Sequence, residues 1–217
     1  MPDERPDASR AQHPPLSPAA QTYALLRFAR ADAVVAYRHG RPITVERFLQ
    51  DVDALAAVLP RHRHVLNLCS DRYRFAVGLG AALRRRQISL LPPNDTPGVL
   101  ADLAEDYADL YCLTDGPAPA VAMPCVAYPD ELGARAAVAA VPVLPARQPA
   151  VLLFTSGSTG RPKASAKSWG TLVRSARAAG TRLGVGALAG AAIVGTVPHQ
   201  HSYGLESTVL LALQHGL

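Results

Sequence analysis

The sequence predicts an α/β fold, a largely parallel sheet with helices on both faces. Three observations predict it. Strand-like apolar runs of about four to six residues alternate with helical patterns of about ten to fifteen, the rhythm of βαβ units. The runs HVLNLC, QISLLP and AVLLFTS are short and nearly all apolar, as buried parallel strands are. The chain has 217 residues, 49% of them hydrophobic, which sustains one substantial core.

The elements follow in order. Residues 1–18, MPDERPDASRAQHPPLSP, mix charge and proline without an apolar centre, so they read as a disordered tail and not a secretory signal. AAQTYALLRFAR reads as a first helix, with Leu25, Leu26 and Phe28 on one side. AVVAYRHGRPITV reads as a hairpin turning at His39–Gly40. Thr44 then caps a helix carrying Phe48, Val52, Leu55 and Leu59 at helical spacing. HVLNLC is a strand, and the helix DRYRFAVGLGAALRRR follows, capped by Ser70 or Asp71. QISLLP is a strand stopped by Pro92–Pro93, TPGVLADLAEDYA a helix with Pro97 in its first turn, and DLYCLTDG a strand ending in a turn. Residues 116–149 read as a surface-running connector with one short strand near Cys125–Ala127. AVLLFTS is the next strand. A helix from about Trp169 to Ala179, a strand AAIVGTVP and a helix from about Tyr203 to Gln214 complete the chain.

Composition excludes several classes. The net charge of +5 is a mild excess. Its densest run, Arg84–Arg86, closes a helix where cations suit the dipole, and no aromatic interleaving accompanies it, so nucleic acid is not an expected partner. No apolar stretch is long and pure enough to span a bilayer, and the expected location is cytoplasmic. Cys69, Cys112 and Cys125 form no CxxC and read as small buried hydrophobes in a reducing compartment, not a disulfide frame or metal site.

The chemistry concentrates in LLFTSGSTGRPK, Leu152 to Lys163. Gly157 and Gly160 free the backbone to turn and expose amides as an anion nest. Thr155, Ser156, Ser158 and Thr159 add hydroxyl donors, and Lys163 adds one cation, with a helix expected shortly after. Many donors, little bulk and one positive charge suit a polyphosphate. Arg161-Pro162-Lys163 follows Gly160 in place of Gly-Lys-Ser/Thr, so this is not a Walker A loop. A flexible Ser/Gly turn with an incidental lysine is the plain alternative, but the preceding strand and the residue order favour phosphate.

That stretch resembles the signature loop of adenylate-forming enzymes, the superfamily of acyl-CoA synthetases, aryl-CoA ligases, luciferases and peptide-synthetase adenylation domains. Every defined position of the family pattern is present from Leu152 to Lys163. AYRHGRPITVERFLQDVDALAAVL and HVLNLCSDRYRFAVGLGAALRRRQISLLPPN resemble the family's opening segments. VPHQHSYG resembles its Pro-x-x-His-x-x-Gly motif at Pro198, His201 and Gly204. The resemblance implies that residues 19–217 form the first part of the family's large amino-terminal domain, with the carboxy-terminal domain absent. It implies ATP and Mg²⁺ as cofactors and a carboxylic-acid substrate. An acyl-adenylate forms, then passes to the thiol of CoA or of a phosphopantetheine-bearing acyl carrier protein. Thr155, Ser156, Gly157, Ser158, Thr159, Gly160 and Lys163 would hold the β- and γ-phosphates, and His201 would orient substrate or gate thiol transfer.

Departures from the family narrow these expectations. Ala164 replaces a usual glycine, and Trp169, where a histidine is common, reads as a helix-start residue packed on the sheet. Lys167-x-Trp169-Gly170 resembles ligases of aryl-polyene pigment clusters, which load aromatic acids onto carriers. His199 and His201 stand two apart without an acidic or cysteine neighbour, which disfavours a metal site. Asp115 is the one acid after a strand that an unrelated kinase could use for Mg²⁺, and it reads as a turn residue. The adenine, ribose and late-lysine motifs do not occur in these residues. The expected function is therefore an amino-terminal fragment, inactive alone. The alternative is a non-catalytic relative that binds a carrier protein or a nucleotide.

Overall fold

A computed structural model describes residues 21–133, 140–155, 163–188 and 190–217. At its centre is a six-stranded sheet in the order β10-β9-β5-β4-β6-β7. Its strands are β4 (His64–Asn67), β5 (Ile88–Leu91), β6 (Leu110–Thr114), β7 (Cys125–Ala127), β9 (Pro149–Thr155) and β10 (Lys163–Ser168). All neighbours pair in parallel except β10, which returns antiparallel along β9.

The period-2 pleat sorts the core. Val65, Leu91, Tyr111, Leu113, Val151 and Leu153 pack on one face. Leu66, Leu90 and Leu110 pack on the other, with Leu152 and Phe154 against them. Burial on both faces is why these strands carry apolar residues without alternation. The first face meets α1 (Val45–Val58), α2 (Arg72–Arg84) and α4 (Trp169–Leu183); the second meets α3 (Pro97–Asp106) through Leu100 and Leu103. The predicted parallel sheet with helices on both faces is the observed one.

Local chemistry sets the helix starts. Thr44 accepts the Arg47 amide, Asp71 the Arg74 amide and Ser168 the Thr171 amide, each from an extended N-cap. The α2 cap is thus Asp71, not Ser70. The β2 (Val34–Arg38) and β3 (Arg41–Thr44) hairpin turns through His39 and Gly40 at positive φ, 51° and 73°. Trp169 opens α4 fully buried, and its indole N–H donates to the Tyr23 carbonyl at 3.2 Å. It packs at the helix start, as expected.

Three expectations fail. The first predicted helix is instead a strand, β1 (Thr22–Ala24), antiparallel to β8 (Val143–Pro145). Leu25 and Leu26 are both buried at 2% and 1% exposure, which a one-sided amphipathic helix does not need, and the pairing with β8 supplies the backbone bonds. Second, no strand is expected between the Ser/Gly loop and the next helix, yet Lys163–Ser168 is strand β10; the helix itself begins at Trp169, as expected. Third, residues 191–197 form no strand. They alternate between exposed and half-buried, as a strand's residues do, but find no backbone ladder partner among the described residues. The chain closes with a helix over residues 202–215, α5, whose middle, Leu205–Leu210, is π-helical. No described helix is long and apolar enough to cross a membrane.

Removing the Trp169 ring should expose how much the sheet–helix seam depends on it. Trp169→Ala is expected to lower unfolding free energy by about 3–5 kcal/mol, and Trp169→Phe by clearly less, measured by urea denaturation. Equal losses would place the weight on the Tyr23 hydrogen bond instead of packing.

Candidate functional site

In open α/β sheets ligands collect outside the carboxyl ends of strands, where successive connections leave for opposite faces. Here β4 leads to α2 on one face, and its neighbour β5 leads to α3 on the other. The crevice therefore opens at the carboxyl ends of β4 and β5, with β9 beside β5 and β6 beside β4.

The Ser/Gly loop joins this edge. β9 ends at Thr155, β10 starts at Lys163, and the two stand opposite one another in register. Residues 156–162, with Ser156, Gly157, Ser158, Thr159 and Gly160, lie outside the described residues. What is fixed is the base: a hairpin pins both ends of the loop at the carboxyl edge, with β9 two strand spacings, roughly 10 Å, from β4 and β10 one spacing further out. This differs from a strand–loop–helix phosphate site, because the following helix begins only at Trp169.

The loop after β4 is held by a carboxylate at the end of β6. Asp115 accepts the Ser70 amide at 2.7 Å, the Ser70 hydroxyl at 3.1 Å and the Asp71 amide at 2.9 Å. Burial pushes the Asp115 carboxyl up, but these donors outweigh it and hold it below the usual range. Asp71 in turn caps α2 and pairs with Arg38 at 2.7 Å. Asp115 is thus committed to backbone amides, which removes it as a metal-binding acid of a kinase-like site. Among the described residues no group of three His, Cys, Asp or Glu could hold a metal ion.

The Pro-x-x-His-x-x-Gly stretch meets the same edge. Arg72, in the first turn of α2, donates to the Gly195 and Val197 carbonyls at 2.9 and 2.8 Å. His199 is buried, its ring tilted against Phe75 with centroids 4.6 Å apart, and its Nε2 lies 2.9 Å from the Cys69 carbonyl. Gln200 donates to that carbonyl at 3.1 Å. Gly204 lets the first turn of α5 press on the Pro198 carbonyl, since any Cβ there would collide with it. His201 occupies the N-cap position of α5, exposed, its ring unengaged by the described residues. The motif spacing singles out His201 and leaves His199 without a role; its anchoring follows from burial and from the Cys69 carbonyl, which no local pattern signals.

A cavity of about 740 Å³ lies elsewhere. Its walls are β2, residues 190–195 and α5, with Arg72 and Tyr73 at one side. It is largely apolar and does not contain the described ends of the Ser/Gly loop, so size alone does not make it the reactive centre.

Fold and edge together define an adenylate-forming enzyme relative. The profile of the AMP-binding enzyme family matches residues 22–217, and the chain belongs to that family. Solved structures share the fold. O-succinylbenzoate CoA synthetase (MenE) of Bacillus subtilis, in complex with the acyl-adenylate intermediate OSB-AMP, has a TM-score of 0.64 at 18% identity, over 84% of this chain and 51% of that one. The same enzyme with ATP and magnesium gives 0.63 at 18%, over 86% and 52%. The N-terminal subdomain of Klebsiella oxytoca NpsA, in complex with 3-hydroxybenzoyl-AMSN, gives 0.60 at 18%, over 85% and 48%. The chain spans about half the length of these structures. None of the curated proteins matches the sequence significantly.

The anchoring histidine has a pH signature. Burial, then the nearby Arg72, holds the His199 ring below its ordinary value, against the Cys69 carbonyl, Asp115 and Asp71, which favour charge. The unfolded chain therefore takes up the proton first, near pH 6.5. Stability is full above that value and falls as pH drops further. Half-buried His64 adds in the same direction. Thermal melts between about pH 7.5 and 5, the interval in which a histidine titrates, should show Tm falling, and His199→Gln should flatten the fall. An unchanged slope in the variant would remove His199 from this account.

Proposed function

We propose that this chain is the amino-terminal part of an ATP-dependent carboxylate-activating ligase. The observation that carries the reading is Thr155–Lys163: a phosphate-type sequence whose ends are paired at the carboxyl edge of a sheet of this family. The reaction joins a carboxylate oxygen to the α-phosphorus of ATP, releases pyrophosphate, and then passes the acyl group to a CoA or carrier-protein thiol.

The residues divide this work by chemistry. Gly157 and Gly160 leave backbone amides open to the β- and γ-phosphate oxygens, and Thr155, Ser156, Ser158 and Thr159 add hydroxyl donors. Lys163 offsets the charge that builds on the departing pyrophosphate. Mg²⁺ enters with ATP, held mainly by phosphates and water, as that ion prefers. His201, exposed at the start of α5, is free to meet substrate or the incoming thiol. Rigidity around them comes from Asp115, Arg72 and His199, so that catalysis is chiefly positioning.

Two further observations support an amino-terminal part. The chain spans about half of its structural neighbours. Residues 191–197 lack a ladder partner among the described residues, as a strand does when its neighbours belong to another part of a sheet. The acid activated is proposed to be aromatic, by the Lys167-x-Trp169-Gly170 resemblance and the aryl ligand of the NpsA subdomain.

MgATP binding by this chain, measured by calorimetry, tests the loop. Lys163→Ala is expected to weaken it by about tenfold or more, and Gly157→Val to abolish it. Wild-type affinity in both variants contradicts the reading. In the complete enzyme the same variants should lose carboxylate-dependent ATP–pyrophosphate exchange. MgATP binding without exchange for any carboxylate leaves the binding-module alternative.

A further inference from the structure

Two of the three cysteines meet at the edge of the central sheet. β6 and β7 run parallel, and Cys112 stands directly opposite Cys125 in their register. Residues opposite one another in a parallel pair project from the same face, and neighbouring strands lie about 4.8 Å apart. That spacing falls within the ~4.4–6.8 Å Cα separation a disulfide accepts.

The two thiols differ in exposure. Cys112 is buried, whereas Cys125 is open to solvent, and both are free. Burial holds the Cys112 thiol protonated well above the ordinary range, and the adjoining Cys125 thiol adds to that effect. The thiol a reagent reaches first is therefore Cys125. Cys69 is buried and lies on neither of these strands.

We propose that Cys112 and Cys125 are a reversible redox pair, in which a peroxide oxidises Cys125 and Cys112 resolves it to an intramolecular disulfide. In the first step the Cys125 sulfur attacks one peroxide oxygen. An S–O bond forms, the O–O bond breaks, and the thiol proton leaves with the departing oxygen as water. In the second step the Cys112 sulfur attacks the Cys125 sulfenic sulfur. The S–S bond forms, the S–O bond breaks, and the Cys112 proton leaves with the hydroxide as a second water. The peroxide is reduced by two electrons and the thiol pair is oxidised by two; a dithiol reverses it.

The bond closes residues 113–124 into a covalent loop and ties β7, the outermost strand, to β6. Thr114 and Asp115 follow directly, and Asp115 holds the α2 cap. The oxidation state of the edge thus acts next to the loop that shapes the crevice. This inference does not depend on the ligase reading.

Mass spectrometry after hydrogen peroxide treatment decides it. No Lys or Arg separates the cysteines, so one tryptic peptide carries both. The wild-type peptide should lose two hydrogens, regain them with dithiothreitol, and give no adduct with dimedone, a sulfenic-acid trap. Free thiols in the denatured protein should fall from three to one. Cys112→Ala should accumulate the dimedone adduct on Cys125. If that variant does not fold, the wild-type peptide decides alone. A dimedone adduct persisting on wild-type Cys125, or a disulfide-linked dimer in place of the internal bond, overturns the proposal.

Discussion

The central strands of the parallel sheet, β4, β5 and β6, are buried on both faces, and the rest of the molecule follows from that constraint. α1, α2 and α4 cover one face and α3 the other, so the sheet's surfaces are closed to ligands. Chemistry is left to the strand ends. Because β4 and β5 send their connections to opposite faces, the carboxyl edge opens there and the amino edge does not. The Ser/Gly loop, the α2 cap and the histidine stretch all arrive at this edge because the strands before them, or the residues they bond to, end there.

The edge is held by polar contacts instead of packing. Asp115 gathers two amides and a hydroxyl of the loop after β4. Asp71 caps α2 and meets Arg38 of the hairpin. Arg72 holds two carbonyls of residues 191–197, and His199 returns the chain to the Cys69 carbonyl. Apart from the local Asp71 cap, each tie spans distant parts of the sequence. A buried donor or acceptor stripped of its partner costs about 1–3 kcal/mol, so these loops keep one arrangement. A site that works by positioning needs that rigidity, and the hairpin base at Thr155 and Lys163 gives the Ser/Gly loop paired ends.

Much of this was legible in the sequence, for reasons that are local. Thr44 and Asp71 act as caps through residues three positions away. His39–Gly40 carries its turn in its own torsions. The strands β4, β5 and β6 are buried on both faces and so read as apolar runs. The misses depend on partners far along the chain. Thr22–Ala24 is a strand only because Val143–Pro145 lies beside it. Lys163–Ser168 is a polar edge strand, recognisable by its pairing with β9 and not by hydrophobicity. Residues 191–197 erred the other way: the apolar pattern of a strand is present, and the ladder is not. At the site, the motif marked the loop and His201, but burial alone separated His199 as the anchor.

The central claim is that nucleotide phosphates meet the carboxyl edge through the loop after β9, and not the apolar cavity beside β2. Amide chemical shifts of the isotope-labelled chain, followed by NMR as MgATP is added, test it most directly. The account predicts shifts at residues 155–163, with smaller ones at 69–71 and 199–201. Shifts confined to the cavity wall at Val34–Tyr37 and Ile193, with the loop unmoved, would contradict it.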